Sequence, residues 1–336
     1  MTRKELVLAA LTHKETHPIP FHIELTEQAL ANLVAYTNDL HAVDKMPSCL
    51  HYIQYWGWPT ELPDRPGYFK DEFGVVWNRS GADKDIGVID DPIIKDLEQR
   101  RYTFPQTDIA RLRKDIEQLL ATREDKFTMM AFGFCMFERA WSLMGMENML
   151  TSMLTCPEDL ERLLDDICDY FLKLVHIALE YEIDGVYFGD DWGQQKGLIM
   201  GPRHWRRFIK PRMARLYAPV KAKGKYVMQH SCGDCLELFP DLIEIGCDCY
   251  QTFQPEIYDL AQMKASYGDK ITFWGGVSTQ QALPFMKPGQ VKQEIRRVMD
   301  ILKSNGGLII APTHAVPFDV PPENILAMAD AFQNQD

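Results

Sequence analysis

A histidine and a cysteine stand two residues apart where a short apolar stretch ends. Residues 226–228 have the apolar character of a strand, and His230 and Cys232 follow directly. Side chains alternate along an extended chain, so residues separated by one position can point to the same side. Imidazole nitrogen and thiolate sulfur are both ligands that suit zinc. The spacing therefore predicts a metal site at the end of this strand.

Two further strand ends supply groups that suit the same centre. His314 follows the last predicted strand, and a catalytic zinc usually has three protein ligands and one open position. His230, Cys232 and His314 are therefore the predicted metal ligands. Glu24 in the first strand and Asp191 after a middle strand are candidates for a fourth, weak ligand or for a general base.

Some of these residues also have a plainer interpretation. His314 can be a hydrogen-bonded structural histidine, and Asp190 and Asp191 can either exchange protons during catalysis or cap the loop that carries them. We predict Asp190, Asp191 and Glu24 as the catalytic carboxylates, and the plainer roles stay open alongside.

The elements that position these side chains alternate between short apolar strands and helices. The predicted strands are residues 128–132, 185–188, 226–228, 247–250, 271–274 and 308–311. The predicted helices are residues 160–181, 202–220, 236–245, 260–267 and 289–303, with a last helix from about residue 321. This alternation predicts an α/β fold, a (β/α)8 TIM barrel whose parallel strands end at one mouth. The Gly-rich loop of an open nucleotide-binding sheet follows none of the strands.

The first third of the chain is less regular. Residues 20–24 are predicted as the first barrel strand, and residues 51–91 are rich in aromatic residues, glycine and proline. Residues 73–77 and 86–89 have the pattern of a β-hairpin within an N-terminal insertion. The aromatic residues of this insertion either roof a pocket or form a secondary core. No linker-like change in composition occurs, so residues 1–336 are predicted as a single barrel domain.

Composition narrows the class of protein. The chain has 336 residues and a formal net charge of −12, which disfavours nucleic acid as a partner because phosphate binding needs a basic face. It has no apolar stretch long enough to span a bilayer and no signal-peptide core, so we expect a cytoplasmic protein without a membrane partner. The eight cysteines are scattered, as is typical of reduced thiols. Cys232 and Cys235 have redox or zinc-knuckle spacing, but without a second such pair we expect Cys235 to face the core.

The chain resembles the uroporphyrinogen decarboxylase superfamily in motifs spread over most of its length. These are residues 3–11 with 18–24, 188–193, 201–211, 230–233, 274–277 and 312–324. The resemblance implies a (β/α)8 barrel. One branch removes acetate carboxyls from a porphyrinogen without a cofactor and carries an Arg-Gln-Ala-Gly-Arg stretch after the first strand. Residues 21–26 have no arginine here, and Glu24 would repel that octa-anionic substrate.

The other branch holds zinc-dependent methyltransferases that work with corrinoid proteins. Its members bind zinc through a His-x-Cys pair, which His230 and Cys232 match, and through a later cysteine, whose place His314 takes here. His314 is then either the third ligand or a residue outside the metal set, because the decarboxylase branch also has a histidine near this place. The resemblance implies zinc, a corrinoid carried by a partner protein and a small-molecule methyl donor or acceptor. Barrels of this superfamily often form homodimers.

Three functions follow from these observations. The first, which we favour, is zinc-dependent methyl transfer between a small substrate and a corrinoid protein. The second is a metal-free lyase that decarboxylates an organic acid or a tetrapyrrole, with Asp190, Asp191 and His314 as acid and base. The third is a corrinoid-binding or tetrapyrrole-binding module without enzymatic activity, which the ionisable residues at the strand ends disfavour.

Overall fold

The structure is a computed structural model that describes residues 1–80, 87–97 and 102–335. Its strands are β1 (Leu50–Tyr55), β2 (Thr60–Leu62), β3 (Arg65–Lys70), β4 (Val76–Asn78), β5 (Val88–Ile89), β6 (Phe127–Phe132), β7 (Gly185–Gly189), β8 (Gly193–Gln194), β9 (Gly197–Leu198), β10 (Tyr226–His230), β11 (Cys249–Phe253), β12 (Thr272–Val277) and β13 (Leu308–Pro312). Its α-helices are α1 (Arg3–Leu11), α2 (Glu27–Thr37), α3 (Ile109–Ala121), α4 (Phe137–Met144), α5 (Met146–Thr155), α6 (Pro157–Ala178), α7 (Gly201–His204), α8 (Lys210–Ala222), α9 (Phe239–Glu244), α10 (Leu260–Tyr267), α11 (Ala282–Phe285), α12 (Pro288–Leu302) and α13 (Pro322–Gln333). Short 3-10 turns lie at Val43–Lys45 and Leu236–Leu238, and a π-helical turn, Trp205–Ile209, joins α7 to α8.

Seven parallel strands form one curled sheet in the order β1, β6, β7, β10, β11, β12, β13. Helices separate successive strands, as in a TIM barrel, because a parallel crossover must return the chain to the same end of the sheet. The predicted α/β fold with a barrel-like parallel sheet is confirmed. Five of the six strands predicted in the last two thirds of the chain fall within or across observed strands at the expected place, and the strand predicted at 247–250 is shifted to Cys249–Phe253.

The predicted first strand is not a regular strand. Phe21 makes an isolated parallel bridge to Ile310 of β13, and the Phe21 carbonyl accepts a hydrogen bond from the Cys49 amide at 2.9 Å. Pro20 has no amide hydrogen, and the Ile23 amide donates to the Ser48 hydroxyl at 2.9 Å. The sheet therefore has seven regular strands rather than the predicted eight, and an extended segment with isolated bridges lies between β13 and β1.

Two apolar cores hold the sheet. The larger one lies between the sheet and the surrounding helices. The smaller one fills the sheet's concave side with residues such as Met129, Met228 and Ile309, and α1 contributes Leu6 and Val7 to it. Because α1 contacts β1, β6 and β13, it covers one end of this interior. The carboxyl ends of the strands are left to form the mouth that holds the candidate site.

The region after β1 contains a four-stranded antiparallel sheet, β2-β3-β4-β5. Strands β4 and β5 pair through Trp77 with Ile89 and Asn78 with Val88. Residues 81–86, which include the first residue of the second predicted hairpin strand, lie outside the described residues. The hairpin and the insertion therefore stay predictions. Within the described ranges, no helix combines the length and the apolar character needed to cross a membrane.

Candidate metal centre and cavities

The three predicted metal ligands lie together at the mouth of the barrel. His230 is the last residue of β10, Cys232 follows it by two residues, and His314 follows the end of β13 by two. One ligand atom from each lies within 4.8 Å of the other two. The distance from His230 Nε2 to Cys232 Sγ is 3.6 Å, and the ring centroids of His230 and His314 are 5.7 Å apart.

Strand alternation explains why the pair faces inward. Met228 belongs to the core inside the sheet, and its neighbour Gln229 points the other way, where the Tyr217 hydroxyl of α8 donates to it. His230 therefore returns to the inner side. His314 follows β13, which lies three strands away from β10 in the curled sheet.

The orientation of the His230 ring is fixed by Gln251 of β11. The Gln251 side-chain amide donates to the Thr313 carbonyl at 3.1 Å, so its Oε1 points the other way, toward His230. The Tyr187 hydroxyl donates to this Oε1 at 2.8 Å and lies 3.3 Å from His230 Nδ1. Since Oε1 can only accept, Nδ1 carries the proton and donates to it. Nε2 therefore faces Cys232 and Asp191, and with a metal bound it would present its lone pair there.

We expect Gln251→Leu to weaken zinc binding about 10- to 100-fold, which is the usual cost of losing the outer partner of a metal-bound histidine. The change removes the acceptor that holds the proton on Nδ1, so the ring turns and changes tautomer more freely. Competition with a chromophoric chelator measures the affinity. Gln229→Leu is the matched control, because Gln229 is a buried amide on the outer side of β10, the strand that carries His230. Equal affinities for Gln251→Leu and Gln229→Leu would contradict this role.

Asp191 is the predicted carboxylate that the structure brings to the cluster. Its Oδ1 lies 3.2 Å from His230 Nε2 and accepts a hydrogen bond from the Cys232 amide at 2.7 Å. Burial alone would raise the pKa of Asp191, but the hydrogen bond and positive charge of His230 lower it below the ordinary value. This carboxylate is placed to act as a fourth donor or to exchange a proton beside the cluster.

Asp190 has a different environment from its neighbour. It is fully buried and accepts hydrogen bonds from the amides of Met136, Phe137 and Glu138 at 3.2, 3.0 and 2.8 Å. The indole of Trp192 donates to it at 2.6 Å. Its carboxylate thus caps the start of α4. Among the described residues, Asp190 lines neither of the two cavities beside the cluster, and its hydrogen bonds position the start of α4.

Glu24 lies farther from the cluster, on the wall of the inner cavity. The Tyr52 hydroxyl donates to Glu24 Oε2 at 2.5 Å, and the ring of Tyr52 contacts the ring of Tyr187 with a centroid distance of 5.5 Å. Tyr187 in turn lies beside His230. Glu24 also lines the inner cavity together with His314 of the cluster.

The cluster stands between two cavities. The inner one has a volume of about 590 Å³ and is lined by side chains that include Glu24, Tyr52, Glu138, Asp191 and His230. The outer one has a volume of about 830 Å³ and is lined in part by Cys232, Phe285 and Phe318. His314 lines both. Two molecules can therefore approach the cluster from two sides.

Three residues near the cluster were not predicted from the sequence. Glu138 of α4 lines the inner cavity, and Gln251 and Tyr187 hold His230. Burial raises the pKa of Glu138 well above its ordinary value, and the nearby charges of Asp191 and Asp190 add to the shift. Gln251 offered a weak signal as a polar residue within a buried apolar strand, whereas Glu138 follows its strand by six residues and offered none.

Backbone contact joins the loops that carry Asp191 and Cys232. A Cβ placed on Gly233, whose φ is +79°, would lie only 2.2 Å from the carbonyl carbon of Gly193. The Asp234 amide donates to the Gln194 carbonyl at 2.8 Å across the same contact. Only glycine permits so close an approach, which fixes the separation of the two loops.

The donor set fits zinc. Tetrahedral zinc with bonds of about 2.0–2.3 Å holds neighbouring ligand atoms about 3.3–3.8 Å apart, and the His230–Cys232 distance falls in this range. In a metal-binding histidine, one ring nitrogen usually binds the metal while the other donates a hydrogen bond to an oxygen acceptor. The Gln251 side-chain oxygen is that acceptor for His230. With a tetrahedral ion bound by His230, Cys232 and His314, one coordination position would be left for a substrate atom or Asp191.

The family of the chain is shown by comparison with known proteins. Residues 80–335 match the model of the uroporphyrinogen decarboxylase (URO-D) family, and the chain belongs to that family. A methylated-thiol–coenzyme M methyltransferase of Methanosarcina mazei is 22% identical over 195 residues, which cover 58% of this chain and 50% of the relative. A uroporphyrinogen decarboxylase of Actinobacillus succinogenes is 22% identical over 175 residues, which cover 52% and 48%. The chain thus spans about half the length of the curated relatives it matches.

A solved structure shares the fold over the whole chain. It is a methyltransferase from Methanosarcina mazei, with a TM-score of 0.75 and 17% identity, and the match covers 100% of this chain and 99% of that one. The predicted family is confirmed, the relatives are enzymes, and they include a methyltransferase as well as a decarboxylase.

Proposed function

We propose that the protein is a zinc-dependent methyltransferase that moves a methyl group between a small substrate and a corrinoid carried by a partner protein. The observation that carries this proposal is the meeting of His230 Nε2, Cys232 Sγ and His314 between two cavities at the carboxyl ends of the strands. Similarity to a methylated-thiol methyltransferase supports the reaction class and a sulfur atom as the methylated centre.

His230, Cys232 and His314 would hold the zinc ion, and Asp191 is the carboxylate best placed to share in binding it. When bound, zinc supplies a Lewis acid that keeps a thiol deprotonated near neutral pH. Gln251 and Tyr187 hold the His230 ring in the orientation this requires. The ionised carboxylate of Asp191 lies beside the site and can accept the proton that a thiol loses on binding.

The inner cavity suits the small substrate. Its volume fits a molecule of a few heavy atoms to a drug-sized one, and aromatic residues such as Tyr52, Trp56 and Tyr187 line its wall. Tyr187 is buried, which keeps water from part of the site. The reacting sulfur would lie next to His230 and His314.

The outer cavity suits the methyl carrier. It is larger and reaches the cluster at Cys232 and His314. Two phenylalanines on its wall are strongly exposed, Phe285 at 76% and Phe318 at 62% of their surface. Exposed aromatic side chains beside an open cavity are typical of a surface that another macromolecule covers. We assign this side to the corrinoid and its carrier protein.

Uroporphyrinogen decarboxylation is disfavoured by the charge of the site. Among the described residues, neither cavity is lined by lysine or arginine, and the inner one is lined by Glu24, Glu138 and Asp191. A tetrapyrrole with eight carboxylates would lack cationic partners there and would meet like charge.

Metal analysis and a methyl-transfer assay together test the proposal. We expect about one zinc ion per chain and transfer of a methyl group from a methylated corrinoid protein to 2-mercaptoethanol. Removal of zinc with a chelator should stop transfer, and added zinc should restore it. Methyl transfer that persists without metal, or a zinc-loaded protein that transfers no methyl group, would contradict the proposal.

A further inference from the structure

The inner cavity is lined by acidic side chains. The carboxyl groups of Glu24, Glu138 and Asp191 line it, and the described lining residues include no lysine or arginine. Asp191 forms an ion pair with His230. Glu24 instead accepts a hydrogen bond from the Tyr52 hydroxyl, and its charge is available to a ligand in the cavity.

Aromatic side chains line the inner cavity together with Glu24. The hydroxyl of Tyr52 donates to Glu24, and Trp56, which is 43% exposed, lines the same space. Aromatic faces attract cations through the ring quadrupole, most strongly when a carboxylate is near and water is partly excluded. An anion in this place would meet both a carboxylate and the negative faces of the rings.

The inner cavity therefore combines two kinds of chemistry. His230 and His314 can present a metal to a sulfur atom, and Glu24 with the aromatic rings of the wall can hold a positive group. The contacts of Tyr52 with Tyr187 and of Tyr187 with His230 join these parts of the wall.

We propose that the small substrate is a thiol, or its methyl thioether, that carries a cationic nitrogen at the end remote from sulfur. This inference rests on the methyltransferase function proposed above and names its substrate class. Glu24 and the aromatic rings select the cation, and sulfonated or carboxylated thiols are selected against.

Three thiols with the same two-carbon chain test the charge preference. Cysteamine carries an ammonium group, 2-mercaptoethanol is neutral and 2-mercaptoethanesulfonate is anionic, so only the remote group differs. Isothermal titration of the zinc-loaded protein gives the three dissociation constants. We expect cysteamine to bind at least about tenfold more tightly than 2-mercaptoethanesulfonate, with 2-mercaptoethanol between them.

Two charge-matched variants locate the effect. Glu24→Gln should reduce the cysteamine preference to less than about threefold. Glu27→Gln removes the same charge from the exposed first turn of α2 and should leave the preference unchanged. Trp56→Leu is a second test that leaves all carboxylates in place, and it should weaken cysteamine binding alone.

The outcomes separate this inference from the methyltransferase function. Equal affinities for the three thiols, a preference for the sulfonate, or a preference that Glu24→Gln leaves intact would each overturn the inference. None of these results requires methyl transfer, so an active methyltransferase can fail this test. The titrations repeated on zinc-free protein, with the corresponding methyl thioethers, report the same preference even if transfer is never observed.

Discussion

We expect the Cys232→Ala protein to lose its zinc. The wild-type chain should contain about one ion, and the variant less than about 0.1 after dialysis against a weak chelator. Removal of a direct ligand must cost more than the 10- to 100-fold loss in affinity that follows removal of an outer partner. It also removes the thiolate, the donor that most favours zinc over harder ions. Plasma mass spectrometry of the purified protein gives the metal content, and methyl transfer should fall to background with it.

Cys156→Ala is the matched control for this prediction. Cys156 is a half-buried free thiol, as Cys232 is, but it precedes α6 and lies outside the three-residue cluster. Its replacement should leave the zinc content at the wild-type level. A Cys232→Ala protein that retains a full zinc ion would remove Cys232 from the ligand set and, with it, the main support for the metal centre.

We expect Asp190→Ala to lower the free energy of unfolding by at least about 3 kcal/mol. The substitution leaves three amides of the α4 start and the Trp192 indole without their acceptor, in a fully buried place. Each buried unsatisfied donor costs about 1–3 kcal/mol, and partial relaxation or water entry reduces the sum. Urea denaturation measures the change. Zinc affinity should fall less than in Cys232→Ala, since Asp190 contacts none of the ligands through its side chain.

Asp234→Ala provides the comparison for Asp190→Ala. Asp234 also accepts a hydrogen bond from a backbone amide, that of Leu236, but it does so in a half-exposed loop. Its loss should cost about 1 kcal/mol or less. If Asp190→Ala were as stable as wild type while methyl transfer stopped, Asp190 would be a catalytic residue, as predicted from the sequence, and the positioning role would be wrong.

The barrel-like fold and the clustering of His230, Cys232 and His314 could be predicted from the sequence because both depend on short periodicities. Parallel strands buried on both sides are continuous apolar stretches, and their carboxyl ends must meet at one edge. His230 and Cys232 are two residues apart, so one strand end suffices to place them together. His314 required only the further assumption that the last strand joins the same sheet.

The roles of Asp190 and Asp191 could not be separated in this way. Alternation implies that adjacent residues point to opposite sides, but it does not say which of the two faces the cavity. That choice depends on α4, which lies more than 50 residues earlier in the chain. The free backbone amides at the start of this helix donate hydrogen bonds to Asp190. Gln251 was missed for a similar reason, because its contact with His230 depends on the register between β10 and β11.

The irregular first strand has a local cause that the sequence did display. Pro20 withholds an amide, and the Ser48 side chain takes the Ile23 amide that a ladder would have used. The proline was visible in the sequence, but the competing hydroxyl comes from a residue whose proximity only the tertiary structure reveals. The apolar pattern therefore predicted a regular strand at residues 20–24 where none forms, and it did not predict β1 at Leu50–Tyr55.

The backbone contact between Gly193 and Gly233 has a consequence for how this site can evolve or be redesigned. Ligand residues can be exchanged one at a time, because each side chain projects from the end of β10 or β13 without backbone contact to the others. The spacing of the two loops cannot be changed by a single substitution, since a methyl group on either glycine would meet the main chain of the other loop. A site for a larger ion would need coordinated insertions in both loops, so single substitutions should change which atoms bind long before they change the size of the ion that fits.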